Sequence, residues 1–230
     1  VVITAGTARK PGMSRLDLTK TNITVVADVT RKLVQFAPNA IIIVVTNPVD
    51  IMTYVAYKVS KKPRSQILGM GSLLDTVRLI SELKKLGAKR VEAMMIGEHG
   101  DNMFPLKSQV KFAETLRLNW EEIEVAVRER AMNTIKLKGA TFFGPSSCVA
   151  KIVKAILKDE RREMPISAVL KGEYGIKGVA IGVPAIVGRK GIAKIIEYDL
   201  SGEELKKLRE SADLLKSYIE KNRELISRFS

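Results

Sequence analysis

The 230-residue chain has room for one large domain or two small ones, and its 46% hydrophobic content is ordinary for a globular protein. Its apolar runs fall short of the ~18 residues of a membrane span, and the start VVITAG carries no basic leader, so we expect neither a membrane partner nor a signal peptide. The net charge of +14 is compatible with nucleic-acid binding, but the basic residues are scattered and aromatic residues make up only 5%. We therefore favour a charged surface and expect no nucleic-acid partner.

The first hundred residues alternate short apolar runs with amphipathic stretches. Buried strands are expected at 1–4, 41–46, 66–68 and 91–96, a loop at 7–18, and helices at 19–37, 50–59 and 73–86. The run IIIVVT is apolar throughout, which is typical of a strand covered on both faces. This alternation predicts an α/β fold with a doubly wound parallel sheet.

The second half has a different pattern. Long helices fit residues 119–138 and 146–158, and apolar runs at 166–170 and 179–187 suggest antiparallel strands. A long amphipathic helix starts at Ser201, which forms a capping box with Glu204. The single cysteine, Cys148, cannot form an internal disulfide, so we interpret it as a buried thiol in a reduced, cytoplasmic protein.

The strongest candidate for proton transfer is His99, the only histidine in the chain. A lone histidine is more often structural, so the neighbouring carboxylates matter. Asp75 and Arg78 are three residues apart on a predicted helix and share a face. They form either an exposed ion pair or a functional pair, with Asp75 orienting His99 and Arg78 holding a substrate carboxylate through its two-pronged guanidinium.

A basic loop follows the first predicted strand and contains Arg9, Lys10 and Arg15. Ligands of open α/β sheets bind at the carboxyl ends of strands, where this loop lies. A solvated basic loop is the simple interpretation. The alternative is a lid that brings Arg15 over a carbonyl group and excludes water.

Five segments, taken together, resemble the malate/lactate dehydrogenase family of 2-hydroxy-acid dehydrogenases. Within that family, the resemblance is strongest to the lactate-dehydrogenase-like malate dehydrogenases. In order, the five segments are TAGTARKPGMSR (4–15), VTNPVD (45–50), LLDTVR (73–78), GEHGD (97–101) and KGATFFGP (138–145). The resemblance extends over essentially the whole chain, including GEYGIKGVAIGVPAIVG (172–188). It implies a partial doubly wound (Rossmann) parallel sheet, the C-terminal part of a dinucleotide-binding domain at 1–68, followed by an α+β substrate domain at 69–230.

The resemblance also implies site roles. The catalytic residues would be the acid/base His99, its orienting carboxylate Asp75, and Arg15, which polarises the carbonyl. The substrate would be held by Arg9, Arg15, Asn47, Arg78 and Thr141. The cofactor NAD, with NADP not excluded, would be bound by Gly6, Asn22, Val45, Thr46, Asn47 and Pro145. No metal ion is expected.

The implied reaction is reversible hydride transfer between NAD(H) and malate or oxaloacetate, a step of the tricarboxylic acid cycle. Malate is preferred over lactate because Arg9 could pair with the second carboxylate of oxaloacetate, whereas pyruvate would leave that charge unpaired. Lactate dehydrogenase stays open, and so does a non-catalytic basic binding or structural remnant. The resemblance further implies a homotetramer or homodimer, and we favour the tetramer.

The sequence departs from the family at the nucleotide-binding fingerprint. A GxGxxG turn after a first strand, with an acidic residue about 20 positions later, is not found in this chain. The family's usual domain size leads us to expect that roughly 60 to 80 residues are absent before Val1. Either the sequence is part of a longer protein, which we favour, or it is a truncated product, which we expect to bind NAD weakly or not at all and to be poorly soluble.

Overall fold

One mixed β-sheet organises the chain in the computed structural model, which describes residues 1–7, 15–114, 116–139 and 141–229, without the side chains of 15–17, 132, 135 and 138. The strands are β1 Val2–Ile3, β2 Ile42–Val44, β3 Ile67–Gly69, β4 Met95–Gly97, β5 Met103–Pro105, β6 Arg162–Lys171, β7 Lys177–Gly188 and β8 Gly191–Ile195. The helices are α1 Arg15–Phe36, α2 Val49–Ser60, α3 Ser72–Lys85, α4 Trp120–Lys138, α5 Phe143–Leu157, α6 Gly202–Lys221 and α7 Arg223–Ser227.

The sheet changes from parallel to antiparallel midway. Its order is β1-β2-β3-β6-β7-β4-β5, with β8 paired to β7. β1, β2 and β3 are parallel and connected by helices, whereas the remaining pairs are antiparallel. The two parts join where Gly69 of β3 pairs with Ser167 of β6. The predicted α/β class, with a partial Rossmann-like parallel sheet followed by α+β structure, is confirmed.

The hydrophobic core lies where helices cover this sheet. All three residues of β2 are buried, as expected for a strand covered on both faces. Cys148 on α5 is also buried, as predicted. The capping box that starts α6 is present, with Ser201 and Glu204 bonding reciprocally. Among the described helices, none is both long and apolar enough to cross a bilayer.

Several predicted boundaries were wrong. Helix α1 starts at Arg15 rather than at 19, so residues 15–18 are not loop; the buried Leu18 extends its apolar face one turn earlier. Helix α5 starts at Phe143 rather than 146, because the first turn of a helix tolerates Pro145. These differences leave the element types unchanged.

The strand predictions were less complete than the helix predictions. The predicted strand 91–96 is reduced to Met95–Gly97, and upstream only an isolated bridge joins Glu92 to Lys111. Strands β5 and β8 were not predicted at all. Each is short and pairs with the strand that precedes it in the chain. Pairing with that neighbouring strand therefore stabilises the extended conformation more than the local hydrophobic pattern does.

Candidate active site

A buried carboxylate holds the histidine and an arginine together. Asp75, in the first turn of α3, is fully buried, and its Oδ2 lies 2.6 Å from Nδ1 of His99 in the loop after β4. An ionised carboxylate can only accept hydrogen bonds, so Nδ1 carries the proton that faces Asp75. Nε2 is then the ring nitrogen that can exchange a proton with a ligand. One helical turn later, Arg78 donates to Oδ1 of Asp75 at 3.1 Å. The pair is therefore not the exposed ion pair considered above.

The electrostatics of this cluster favour the imidazolium form of His99. Burial by itself would lower the pKa of His99, but the charge and hydrogen bond of Asp75 outweigh burial and raise it above its usual range. The Asp50 carboxylate also raises it, whereas Arg78 opposes them. An imidazole held next to a carboxylate in this way can both donate and recover a proton.

A second buried carboxylate holds the backbone of His99. Oδ2 of Asp50, in the first turn of α2, accepts a hydrogen bond from the His99 backbone N–H at 2.7 Å. Its Oδ1 accepts one from the Ser167 hydroxyl of β6 at 2.5 Å. Burial raises the pKa of Asp50 to about 6, although both hydrogen bonds oppose the rise. The ring and the main chain of His99 are thus each held by a different acid.

The space for the imidazole depends on Gly71, which immediately precedes α3. A Cβ atom at this position would lie 2.9 Å from Cβ and Cγ of His99 and 2.8 Å from a methyl group of Val49. These distances are shorter than real Cβ contacts, so any side chain at residue 71 would displace one of these neighbours.

A cavity next to Arg78 brings two further predicted residues into the same region. It has a volume of about 250 Å³ between α3, α4 and the start of α5, and its lining includes Arg78, Thr141 and Pro145. Phe142 and Phe143 also line it and are largely exposed. Arg130 and the hydroxyl residues Ser81 and Thr134 complete its polar lining. A site for a small carboxylate fits this combination of two guanidinium groups, hydroxyl groups and apolar walls.

The remaining predicted positions that the structure describes lie at the carboxyl ends of β1 and β2. Asn22 of α1 is buried and links the two ends: its Oδ1 accepts from Thr7 N–H at 2.7 Å, and its Nδ2 donates to the Asn47 carbonyl at 2.7 Å. Thr46 is buried and donates to the Ala5 carbonyl at 2.7 Å. Asn47 itself is exposed.

Two arginine predictions fall outside what the structure describes. Arg9 lies outside the described residues. Arg15 is the first residue of α1, but its side chain is outside the description. For the predicted catalytic and substrate residues His99, Asp75 and Arg78, the structure gives side-chain hydrogen bonds.

Comparison with known proteins places this arrangement in a family. Residues 1–69 match the family described as lactate/malate dehydrogenase, NAD binding domain, and residues 72–226 match lactate/malate dehydrogenase, alpha/beta C-terminal domain. The chain belongs to the lactate/malate dehydrogenase family. The malate dehydrogenase of Archaeoglobus fulgidus is 47% identical over 221 residues, which cover 96% of this chain and 74% of that protein. An L-lactate dehydrogenase of Lactobacillus helveticus is 40% identical over 96% of this chain and 73% of its own.

Solved structures of the family superpose closely on this chain. The Archaeoglobus fulgidus malate dehydrogenase in complex with NADH gives a TM-score of 0.92 over 96% of this chain and 74% of that one, at 47% identity. The minor L-lactate dehydrogenase of Enterococcus mundtii gives 0.91 over 96% and 75%, at 33% identity. Both branches of the lactate/malate dehydrogenase family thus share this fold.

The residues at the ends of β1 and β2 fit a dinucleotide. Parallel strands present ligands at their carboxyl ends, and residues 4–6 are exposed there beside Asn47. Gly6 packs so closely on Thr46 that a Cβ atom would lie 2.4 Å from the threonine methyl, so this edge presents bare backbone to a ligand. In the described part of this dehydrogenase, no cluster of three or more His, Cys, Asp or Glu side chains could hold a metal ion.

Sequence reasoning missed the residues that support the histidine, namely Asp50, Ser167 and Gly71. Asp50 belongs to the VTNPVD segment, but an acidic residue in the first turn of a predicted helix is common and usually exposed, so its burial could not be read from the sequence. Ser167 lies inside an apolar run 117 positions away, and no sequence pattern connects it to Asp50.

Proposed function

We propose that this chain interconverts malate and oxaloacetate with NAD(H) as the redox partner, and that His99 exchanges the proton. The observation that carries the proposal is the contact between the buried Asp75 carboxylate and Nδ1 of His99, with Arg78 on the other carboxylate oxygen. This is an acid/base group oriented by a carboxylate, next to a cation suited to bind a keto acid.

The chain's own residues perform the proton transfer. In the direction of reduction, protonated His99 gives the proton on Nε2 to the substrate oxygen, and Asp75 stabilises the imidazolium before transfer. In the reverse direction, neutral His99 removes the hydroxyl proton. We assign Arg15 to the developing negative charge on the oxygen, where a guanidinium in a water-poor site is most effective.

The cofactor would lie across the carboxyl ends of β1 and β2. We propose that it is held by Gly6, Asn22, Val45, Thr46, Asn47 and Pro145. When bound, the nicotinamide supplies the hydride for reduction and receives it in oxidation. The Asn22 side chain already bonds both strand ends, so its role would be to fix the backbone that contacts the cofactor. NADP is not excluded as an alternative to NAD.

The substrate would be bound through its carboxylates. We assign Arg78 to the carboxylate beside the reacting carbon, Asn47 and Thr141 to hydrogen bonds around it, and Arg9 to the second carboxylate of oxaloacetate. Lactate dehydrogenase is the second candidate, because L-lactate dehydrogenases are 40% identical to the chain.

Steady-state oxidation of NADH with oxaloacetate or pyruvate tests the assignment in the intact protein. We expect kcat/KM to favour oxaloacetate by at least about 100-fold, since leaving Arg9 unpaired costs roughly 3 kcal/mol. Arg9→Gln should narrow the preference, whereas Lys10→Gln, a charge change in the same loop, should not. A preference for pyruvate would replace malate by lactate, and no turnover of either keto acid would overturn the dehydrogenase proposal.

We also propose that the chain divides into a nucleotide-binding part (1–68) and a substrate part (69–230). We further propose that the protein is cytoplasmic and acts in the tricarboxylic acid cycle.

We propose that the protein assembles as a homotetramer, with a homodimer as the alternative. Exposed apolar side chains on α4 and α5 support subunit contacts there, namely Val125, Leu137, Phe143 and Leu157. Light scattering on the purified protein measures the number of subunits, and a monomer would contradict the assembly.

A further inference from the structure

We propose that Asp50 is a positioning residue for His99, which holds the histidine backbone in place and sets a carboxylate next to it. The inference rests on the proposed acid/base role of His99 and adds a residue to it. Asp50 does not contact the imidazole through any hydrogen bond described here; it acts through the backbone N–H and through its charge.

The contacts of Asp50 connect three elements at one point. The residue lies in the first turn of α2, immediately after β2 and the Asn47–Pro48 peptide. Its two oxygens bind the main chain of the loop after β4 and the side chain of Ser167 on β6, at 2.7 and 2.5 Å. Helix α2, which follows β2 in the chain, is thereby linked through Asp50 to the residue proposed to transfer the proton.

The two acids around His99 have different tasks. Asp75 holds Nδ1 and so decides the tautomer and the ring plane. Asp50 holds the N–H of the same residue and so decides where the ring is anchored. A misplacement of about 1 Å at a reacting group can lower the rate about 100-fold, so the anchor has kinetic importance.

Burial of this carboxylate is unfavourable for folding, which argues for a functional reason to retain it. Asp50 is only 2% exposed, and burial is the main cause that raises its pKa, so its charged form is less stable here than in water. An asparagine would fill the same space and could still accept from the His99 N–H. What asparagine cannot supply is the negative charge near the imidazolium.

Among the side chains that the structure describes, Glu98, Asp75 and Arg78 are the further charged groups that act on the pKa of Asp50 or His99. Asp50 faces two residues of the loop after β4, His99 and Glu98, and one uncharged residue of β6, Ser167. The charge of Glu98 raises the pKa of Asp50. His99 faces Asp75 and Arg78 from α3 in addition to Asp50. Loss of the Asp50 charge therefore lowers the pKa of His99, whether the charge is lost by mutation or by acid.

Three variants of the intact protein test the proposal. Asp50→Asn removes the charge and keeps the shape. Ser167→Ala keeps Asp50 and removes its second hydrogen-bond donor, which should raise the pKa of the carboxyl further. Glu204→Gln is the matched control, because Glu204 is also a buried carboxylate that accepts a backbone N–H, that of Ser108, but lies in the α6 capping box.

The readouts are kcat and KM over a range of pH and the NMR titration of the His99 ring, whose resonance is assigned by its loss in His99→Gln; residues 1–230 contain one histidine. For Asp50→Asn we expect kcat to fall about 10- to 100-fold with KM changed much less, and the His99 titration and the matching limb of the pH–rate profile to move to lower pH. For Ser167→Ala we expect activity to be lost at a higher pH than in wild type as the solution is acidified. Glu204→Gln should leave all of these unchanged.

Asp50→Asn with wild-type kcat and an unmoved His99 titration would overturn the proposal. So would a loss of activity without any shift of the titration or the pH profile, since a purely structural role predicts that result. If Asp50→Asn does not fold, Ser167→Ala decides: an unaltered pH profile overturns the inference. Failure of the dehydrogenase proposal is distinguishable, because wild type would then be inactive while the NMR titration still reports whether Asp50 acts on His99.

Discussion

Oδ2 of Asp75 lies 2.6 Å from Nδ1 of His99, although 24 positions separate the two residues in the chain. Asp75 has no solvent exposure, so this contact is made in a region of low polarity where charge interactions are strong.

Replacement of His99 by glutamine should remove proton transfer and keep the fold. A general acid/base typically contributes 10²- to 10⁴-fold, so we expect kcat for oxaloacetate reduction to fall by roughly that factor. NADH oxidation measures the rate, and circular dichroism checks the fold. A variant that keeps most of its turnover would remove His99 from the mechanism.

Asp75→Asn should affect both catalysis and stability. The variant leaves Arg78, whose side chain is 11% exposed, without its carboxylate partner, which we expect to lower the free energy of unfolding by about 3 kcal/mol. It should also lower the pKa of His99, which the ring resonances report directly. An unchanged His99 titration would mean that Asp75 does not control the imidazole.

The His99–Asp75 pair should make stability depend on pH above the unfolded histidine pKa of 6.5. Because the pKa of His99 is raised in the folded state, its contribution is fully present below the unfolded value of 6.5 and is lost as the pH rises through the folded value. Urea unfolding from pH 6 to 9 should therefore show a decline that is weaker in His99→Gln. Parallel curves for the two proteins would contradict the raised pKa.

Asp50 should produce a second pH effect at lower pH. Its pKa rises from 3.8 to about 6 on folding, so its contribution is fully present below 3.8 and is lost as the pH rises to about 6. Two pKa units correspond to about 3 kcal/mol, as an order of magnitude. Asp50→Asn should remove this decline and be at least as stable as wild type at pH 7. A large destabilisation of that variant at pH 7 would show that the hydrogen bonds outweigh burial.

Gly71→Ala should disturb the histidine by sterics alone. The new Cβ atom would lie 2.9 Å from the His99 side chain, so we expect a fall of about 10- to 100-fold in kcat and a destabilisation of about 1–3 kcal/mol. Gly202→Ala is the control, because a Cβ atom there meets nothing within 4 Å and lies in the first turn of α6. Equal effects at the two glycines would argue against a specific role for Gly71.

The sequence by itself determined the α/β class, the six long helices and the hypothesis that His99, Asp75 and Arg78 act together. These depend on local information: apolar periodicity, helix caps, the i,i+3 spacing of Asp75 and Arg78 on one helix, and short motifs in a family's order. The same local logic placed the start of α6 correctly, because a capping box lies within four residues.

Only the tertiary structure decided which side chains support the histidine. Asp50 bonds His99, which is 49 positions away in the chain, and Ser167, which is 117 positions away. A glycine is required at position 71 only because the imidazole packs against it. The short strands β5 and β8 likewise exist through their pairing with neighbours. The physical reason is that a local pattern reports which face of an element is apolar, whereas the packing of the sheet decides which distant polar group meets another.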